Sequence, residues 1–417
     1  MKSKSQKIRS VNNETMIAAL DIGKGFHYGY FRAPDGQEQT PFKFFNTRDS
    51  YQHFLQKLYR FKKRHRLKQV IVGFESTGPY AEPLLHFLRQ QPVQLVQINP
   101  MHSKRIKELT GNSPNKTDRK DPRVIADVIM LGHALTVVVP EKAAADLRRL
   151  TQARERAVKH RTAVINQLQH LVFVIFPEFL KVIKTISSKT GLYFVRHYPT
   201  PEAVAGLGKE ELCGTVQRIS RGRIKPDRAQ QLYQAALDSV GITEGRDGIL
   251  EEIGYLIEQL HSCNAFIDRL EAKMQSALKQ IPYSQYLLSM HGVGLITVAG
   301  LIGEVGDFRK FSTIAEITKL AGMDLYEVSS GKHKGQRRIS KRGRPLMRKL
   351  LYFAALNTVR SNGIMHEPYR QMVDRGVLKT KALVAISRKL LAVMFALVRD
   401  QASYVDGYRD HRLALAA

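Results

Sequence analysis

Cysteine is scarce in this sequence of 417 residues, which contains only Cys213 and Cys263. Two cysteines so far apart indicate neither a disulfide framework nor a zinc site, and they fit a reducing cytoplasm. Long apolar runs are lacking as well. The longest one near the C-terminus, Leu390 to Val398, is too short to span a bilayer, so we expect no membrane partner.

Acidic residues are few compared with basic ones. Asp and Glu number 37 and Lys and Arg number 66, which gives a formal net charge of +29. Phosphate-backbone binding accounts for such an excess, because each neutralised phosphate releases counterions. The chain is nevertheless 43% hydrophobic, and it is long enough for two or three domains with cores of their own. The composition therefore predicts a folded nucleic-acid-binding protein.

The first part of the chain alternates between strand and helix patterns. The predicted strands are Met16–Asp21, His27–Arg32, Phe42–Asn46, Val70–Glu75 and Val93–Asn99, and the predicted helices are Ser50–Lys63, Tyr80–Gln90 and segments through Gly132. This order is that of the ribonuclease H-like fold, which also occurs duplicated in actin-like ATPases. An ATPase is suggested only by residues 21–24, and we find no second glycine-rich phosphate loop.

Helical spacing dominates after residue 142. One apolar seam runs from Leu147 to Leu171, and a second runs from Ile249 to Met274 in alternating steps of four and three. These two helices could pair within the chain or mediate dimerisation. Residues 187–247 between them form a mostly helical insertion with the basic residues Arg218, Arg221, Arg223, Lys225 and Arg228. Two buried helices, Pro345–Asn357 and Thr380–Asp400, are predicted near the C-terminus.

Four carboxylates occupy informative places in the N-terminal pattern. Asp21 ends the first strand, Glu75 ends the central strand, and Asp118 and Asp121 lie three residues apart at a helix start. If all four converge, a cation must offset their charge, and oxygen ligands select Mg²⁺ or Mn²⁺. Two such ions about 4 Å apart can hold the attacking and leaving oxygens of a phosphodiester. Each residue taken alone is more typical of a cap or turn, whereas the four together in a strongly basic chain favour the metal site.

Two glycine-containing segments are candidate nucleic-acid contacts. Residues 291–294 resemble a helix-hairpin-helix turn, in which Gly292 and Gly294 would offer backbone N–H groups to a phosphate, although an ordinary glycine turn fits as well. Ser330 precedes Gly331 and a basic run, so it could attack a phosphate, although serine beside glycine also forms turns. The basic candidates are Lys332, Lys334, Arg337, Arg338, Lys341, Arg342 and Arg344.

An ordered set of motifs resembles the DEDD transposases of bacterial insertion sequences, the IS-one-ten family, described as bridge-RNA-guided recombinases. The matching segments are residues 19–24, 74–78, 98–100, 116–121, 291–294, 320–323, 329–331 and 339–343. The resemblance implies an N-terminal RuvC-like domain (14–135), a coiled-coil linker with the insertion (142–280), and a mainly helical C-terminal transposase domain with a helix-hairpin-helix-like turn (281–405).

The resemblance also implies roles for residues and partners. Asp21, Glu75, Asp118 and Asp121 fall on the family's metal-binding positions, and Ser330 falls on its nucleophilic serine, with Ser329 as the adjacent alternative. The serine would form a phosphoserine link that conserves bond energy for rejoining. The implied partners are donor and target DNA, a structured guide RNA, and further copies of the chain in a dimer or tetramer with composite active sites. A bacterial cytoplasmic, nucleoid-associated location follows.

Two other functions remain open from the sequence. A metal-only RuvC-like nuclease would cut DNA without the serine, which would then only shape a loop. A basic nucleic-acid-binding scaffold with an inactive catalytic fold would show no Mg²⁺ dependence.

Overall fold

The computed structural model describes residues 11–75, 78–110, 121–327, 335 and 337–406. The chain divides into two compact units, Met1–Val139 and Pro140–Ala417. In the described part of the chain, no helix combines the length and apolar character needed to cross a membrane.

The first unit is a mixed sheet with helices on both faces. Among its described residues, the sheet has the strand order β3-β2-β1-β4-β5-β6, with β4 parallel to β1 and β5, and the other neighbouring strands antiparallel. The elements in chain order are β1 Thr15–Ile22, β2 His27–Arg32, β3 Glu38–Phe44, α1 Arg48–Arg64, β4 Gln69–Glu75, the 3₁₀ turn Gly78–Ala81, α2 Glu82–Leu88, β5 Gln94–Ile98, α3 Pro100–Thr110, α4 Asp121–Met130 and β6 Leu135–Thr136. The predicted alternation of strands and helices is confirmed.

Alternating side chains of the central strands supply two separate cores, because successive strand residues point to opposite faces. Met16, Leu20 and Phe74 pack in the core that includes α1 and α2. Ile17 and Ile71 pack with α4 in the core on the other face. Both faces of β1 and β4 are therefore buried along most of their length.

The third strand differs from its prediction, which was Phe42–Asn46. It runs instead over Glu38–Phe44 at the edge of the sheet, and Glu38 pairs with Arg32. Its first residues are exposed, so the strand lacks the apolar alternation that sequence patterns detect. Asn46 lies beyond it, where its side-chain oxygen lies 2.7 Å from Nε2 of His27. The predicted helix Tyr80–Gln90 is likewise shortened, since its first part is the 3₁₀ turn.

The second unit is mainly helical. Its elements are α5 Lys142–Ile175, α6 Phe179–Val182, α7 Lys189–His197, α8 Pro201–Ala205, α9 Gly208–Ser220, α10 Pro226–Leu237, α11 Arg246–Lys279, α12 Ser284–Leu288, α13 Leu295–Val305, the 3₁₀ turn Phe308–Lys310, α14 Ile314–Ala321, β7 Leu325–Tyr326, β8 Arg338–Ile339, α15 Pro345–Thr358, α16 His366–Asp374 and α17 Lys379–Asp400. The two predicted C-terminal helices are confirmed as α15 and α17.

The two long helices α5 and α11 pack against each other within the chain. Arg154 contacts Glu271 at 2.7 Å, and Arg161 contacts Asn264 at 3.3 Å, so residue numbers rise on one helix as they fall on the other. The pair is therefore antiparallel. The intramolecular pairing, one of the two arrangements left open by the sequence, is therefore present, with the apolar seams buried against each other. Dimerisation stays a prediction.

Each end of this helix pair has its own core. Leu147 and Met274 pack with the C-terminal helices. Leu168 and Leu260 pack with α7 to α10, the helical part of the 187–247 insertion. The helix pair therefore belongs to both cores, and the boundary expected near residue 281 does not separate two cores.

Candidate functional site

Asp21 and Glu75 lie at the same level on adjacent strands. In the parallel pairing of β1 and β4, Leu20 is the partner of Phe74, and each acidic residue follows one of these. Leu20 and Phe74 point to the α1 face, so Asp21 and Glu75 point to the α4 face. Both are half-buried. The pairing thus brings two of the predicted carboxylates to one edge of the sheet.

Asp121 is the first residue of α4, the helix that covers the same face of the sheet. Val124 and Ile125 of α4 pack with Ile17 and Ile71. The Asp121 carboxylate forms an ion pair with Lys107 of α3, with 2.7 Å between the lysine nitrogen and the carboxylate oxygen. A carboxylate at a helix N-terminus is also stabilised by the helix dipole. Lys107 was not among the sequence candidates, because a single lysine on a helix carries no pattern of its own.

The described residues do not by themselves form a complete metal centre. No group of three or more His, Cys, Asp or Glu side chains among them is positioned to hold an ion. Asp118, the fourth predicted carboxylate, lies outside the described residues. Asp21, Glu75 and Asp121 supply the carboxylate oxygens that Mg²⁺ or Mn²⁺ prefers. The chemistry of the donors fits such an ion, and the four-carboxylate cluster stays a prediction.

A pocket of about 180 Å³ opens beside Asp21. It is lined by Asp21, Ile22, Gly23, Lys24, Gly25, Phe26 and Tyr28. The turn is tight, because a Cβ at Gly23 would lie 2.5 Å from the carbonyl oxygen of Phe26. Lys24 is exposed in this turn. A phosphate oxygen near Asp21 could therefore meet a cation from the same turn, a role that the sequence did not assign to Lys24.

The predicted nucleophile lies in the segment between two short strands of the second unit. β7 pairs antiparallel with β8, with Leu325 opposite Ile339 and Tyr326 opposite Arg338. Ser329, Ser330, Gly331, Lys332 and Lys334 lie between these strands and outside the described residues. The sequence did not predict this two-stranded ribbon, since strands of two residues show no periodicity.

The base of the ribbon is held against α14 by backbone contacts. The Lys341 N–H donates to the Gly322 carbonyl at 2.9 Å, and the Arg344 N–H donates to the Leu320 carbonyl at 2.9 Å. Gly322 has a φ of +66°, and a Cβ on Gly343 would lie 2.3 Å from the Gly322 nitrogen. Gly322 and Gly343 are thus both required, because two backbone segments cross closely at these positions.

The predicted basic residues fall into two groups. Arg338, Lys341 and Arg342 are exposed. Arg337 is exposed as well, and it forms a 3.0 Å ion pair with Glu327 across the ribbon. Arg338, Lys341 and Arg342 are therefore accessible at the surface, as a phosphate contact requires.

Arg344 requires a correction, because it is not a surface phosphate ligand in this structure. Its side chain is 19% exposed and forms a 3.3 Å ion pair with the buried Glu304 of α13. Burial, together with the nearby Arg148, lowers the pKa of Arg344 to about 10, so it remains charged at neutral pH. Its role here is to fix the start of α15 to α13.

The predicted glycine turn lies between helices, as expected. Gly292 has a φ of +85°, and Gly294 precedes the first residue of α13. His291, Gly292 and Gly294 are exposed, whereas Val293 is buried. A Cβ on Gly292 would lie 3.0 Å from Thr358, so this glycine also serves packing. The geometry fits both an ordinary turn and a phosphate contact.

Comparison with protein families gives two matches in chain order. A model of DEDD transposases of the IS110 type matches residues 18–177, and the model described as "Transposase IS116/IS110/IS902 family" matches residues 284–370. Together they cover more than half of the chain. The first match contains Asp21, Glu75 and Asp121, and the second contains the ribbon and both glycine motifs.

Individual relatives are similar along much of their length. A 43.6 kDa protein of insertion element IS110 from Streptomyces coelicolor is 23% identical over 93% of this chain and 95% of its own. A 42 kDa protein of insertion element IS900 from Mycobacterium paratuberculosis is 26% identical over 69% of this chain and 73% of its own. The transposase for insertion sequence element IS1111A from Coxiella burnetii is 24% identical over 75% and 73% respectively.

The family models match both the α/β unit and the helical unit. This chain is therefore a DNA transposase, an enzyme of strand cleavage and transfer. More narrowly, the chain belongs to the IS116/IS110/IS902 family of insertion-sequence transposases.

Proposed function

We propose that this transposase cuts and rejoins DNA through a phosphoserine intermediate formed by Ser330, assisted by Mg²⁺ held by Asp21, Glu75, Asp118 and Asp121. The metal-dependent part of this proposal rests on the strand pairing that sets Asp21 and Glu75 side by side on the α4 face. The strand order β3-β2-β1-β4-β5-β6 of the first unit supports assigning it to the ribonuclease H-like, RuvC-like fold. The family resemblance supports the role of Ser330 as the nucleophile.

The bound ion would supply charge stabilisation at the phosphodiester that is cut. Asp21 and Glu75 would orient it from the sheet edge. Lys107 would hold the Asp121 carboxylate in place through its ion pair. Asp118 would complete the ligand set.

The serine step exchanges one phosphate ester for another. The Ser330 oxygen forms a bond to phosphorus while the bond from phosphorus to the leaving sugar oxygen breaks. The hydroxyl proton of the serine is transferred as the sugar oxygen becomes a hydroxyl group. Exposed arginines such as Arg338 and Arg342 would stabilise the charge on the phosphate oxygens. Since an ester bond is kept, a second sugar hydroxyl can reverse the step on a new strand without ATP.

The proposal includes partners and a location. A structured RNA from the element would pair with donor and target DNA, so that base pairing chooses the sequence and the protein contacts backbone and shape. Several copies of the chain would act together in the bacterial cytoplasm, associated with the nucleoid. The α5–α11 pair, taken as a coiled coil, would link the catalytic segments.

The central experiment detects the covalent intermediate. The protein is incubated with Mg²⁺, the RNA of its element and labelled DNA, and a denaturation-resistant adduct is mapped to one residue. We expect Ser330→Ala to abolish the adduct, Ser329→Ala to keep it, and Glu75→Gln to reduce cleavage by at least 100-fold, on the order of one lost catalytic interaction.

The same variants discriminate the alternatives. Cleavage that survives Ser330→Ala without an adduct would establish the metal-only nuclease. Activity that is independent of Mg²⁺ and of Glu75 would contradict the acidic cluster. Mixing the Glu75→Gln and Ser330→Ala proteins should restore activity if the two residues act from different subunits, and it should restore none if they act from one.

A further inference from the structure

Basic residues are concentrated at one turn of the insertion. Arg218, Arg221, Arg223, Lys225 and Arg228 fall within eleven residues, and Asp227 is the only acidic residue from 212 to 237. We call these five residues the turn patch. The other acidic residues of the insertion lie elsewhere, for example Glu210 and Glu211 in the first turn of α9. The charges are therefore segregated rather than mixed over the surface.

The turn that carries the patch is rigidly built. Arg221 and Gly222 both have positive φ values, +53° and +73°, and the Gly222 N–H donates to the Gln217 carbonyl at 2.9 Å. The buried Ser220 hydroxyl accepts the Ile224 N–H at 3.2 Å. Beneath the turn, Val216 of α9 and Leu232 of α10 are fully buried. The patch thus rests on a packed helical hairpin.

The patch residues point to solvent and are not neutralised within the described structure. All five are exposed. No ion pair joins any of them to a carboxylate among the residues that the structure describes. By contrast, the exposed Glu202 of the same insertion pairs with Arg246 at 3.0 Å. The positive charge of the turn patch therefore stays available for a partner.

The positions of Lys225 and Arg228 do not serve helix stability. Lys225 is the residue before α10, and Arg228 lies in its first turn. That end of a helix carries the positive end of the dipole, so cations there are unfavourable and anions are favourable. Arg218 in the last turn of α9 and Arg221 at its C-cap are the patch residues whose positions suit their helix. A polyanion at this turn would remove the conflict.

We propose that the turn patch is an accessory binding surface for the phosphate backbone of duplex DNA. Exposed cations on a firm turn suit phosphates that repeat along a duplex, and they contact no base edge, so the binding would be independent of sequence. The patch lies outside both segments that match the transposase models, residues 18–177 and 284–370. It would therefore add affinity for DNA beyond that of the catalytic segments.

The test measures DNA affinity of the full chain in EDTA, so that no cleavage enters. The patch variant is Arg223→Gln/Lys225→Gln/Arg228→Gln. It keeps Arg221, whose backbone has the left-handed conformation. The matched control is Lys184→Gln/Lys189→Gln/Lys209→Gln, which removes the same charge from exposed lysines of the same helical region. Affinity for a random 30-base-pair DNA is measured against salt concentration.

We expect the patch variant to lower the salt slope of log K by about 2 to 3, since each phosphate contact contributes about 0.9, and to weaken binding roughly tenfold. We expect the control to change the slope by less than about 1. The midpoint of thermal unfolding should not fall in the patch variant, because the substitutions remove positive charges that are unfavourable at a helix N-terminus. The variant Arg223→Lys/Arg228→Lys should keep the slope of the unaltered chain.

Three results would overturn the proposal. Equal slope changes in both triple variants would mean that only total charge matters. A lowered unfolding midpoint in the patch variant would give the cations a structural role. A loss of affinity for a structured RNA hairpin with unchanged affinity for the DNA would assign the patch to RNA.

Discussion

At the scale of single residues, local geometry separates side chains that the sequence treats alike. Arg344 and Arg342 stand two positions apart in one basic run, yet Arg344 is paired with buried Glu304 and Arg342 is exposed. Asp21 and Glu75 are each ordinary strand-end acids until the pairing of β1 and β4 sets them side by side. Their neighbours, rather than their type, give these residues their roles.

His27 is a buried histidine that should make the first unit sensitive to acid. It is fully buried, and burial lowers its pKa despite the hydrogen bond to Asn46. As pH falls through the ordinary histidine pKa near 6.5, His27 is protonated in the unfolded chain but stays neutral in the folded chain. Protonation therefore favours the unfolded state, and the free energy of unfolding decreases. We expect the free energy of unfolding to decrease between pH 7 and pH 5, and less so in His27→Gln.

This prediction is checked by urea unfolding at both pH values, with His53→Gln as the control, because His53 is exposed in α1. An equal loss of stability in His27→Gln and in the unaltered chain would show that other groups control the acid response.

At the scale of elements, strength of periodicity decides what could be predicted. The long helices α1, α5, α11, α15 and α17 show clear apolar spacing, and their predictions are confirmed. β3, with exposed residues at its start, was misplaced, and the ribbon of β7 and β8 was missed. Short or exposed elements bury too little apolar surface to leave a pattern.

The crossing of Gly322 and Gly343 under the ribbon gives a prediction for this element. In Gly343→Ala the new Cβ would lie 2.3 Å from the Gly322 nitrogen and 2.4 Å from the Leu320 carbonyl oxygen, both backbone atoms. The two segments must separate, so we expect a loss of about 1–3 kcal/mol in the free energy of unfolding. DNA cleavage should fall as well, because this crossing holds the two strands between which Ser330 lies in the sequence.

The matched control is Gly214→Ala in α9, where a Cβ would meet nothing within 4 Å. Since alanine favours helix interiors, that change should stabilise the chain by roughly 0.5–1 kcal/mol. If Gly343→Ala were as stable as the unaltered chain in denaturant unfolding, the close crossing could not be the reason for this glycine.

At the scale of the whole molecule, the chain consists of two compact units with separate cores. Its charge of +29 is a property of the entire sequence and favours association with nucleic acid. The paired helices α5 and α11 join two cores inside the second unit, which explains why a linker expected from sequence is part of a packed body.

Separate cores predict separate responses to core truncation. Leu58 of α1 is fully buried in the first unit, and Leu301 of α13 is fully buried in the second. Each change to alanine should cost about 2–5 kcal/mol. We expect Leu58→Ala to raise hydrogen exchange only in the first unit and Leu301→Ala only in the second, as measured by mass spectrometry. Increased exchange throughout the chain in either variant would contradict independent cores.

The sequence by itself determined the charge, the α/β then helical organisation, and the family motifs, because composition, periodicity and motif order are local and additive along the chain. Only the tertiary structure decided that α5 and α11 pair in one molecule, that Asp21 and Glu75 stand at one level, and that Arg344 is structural. These outcomes depend on which distant residues meet, and strand register and burial are settled by packing of the whole fold.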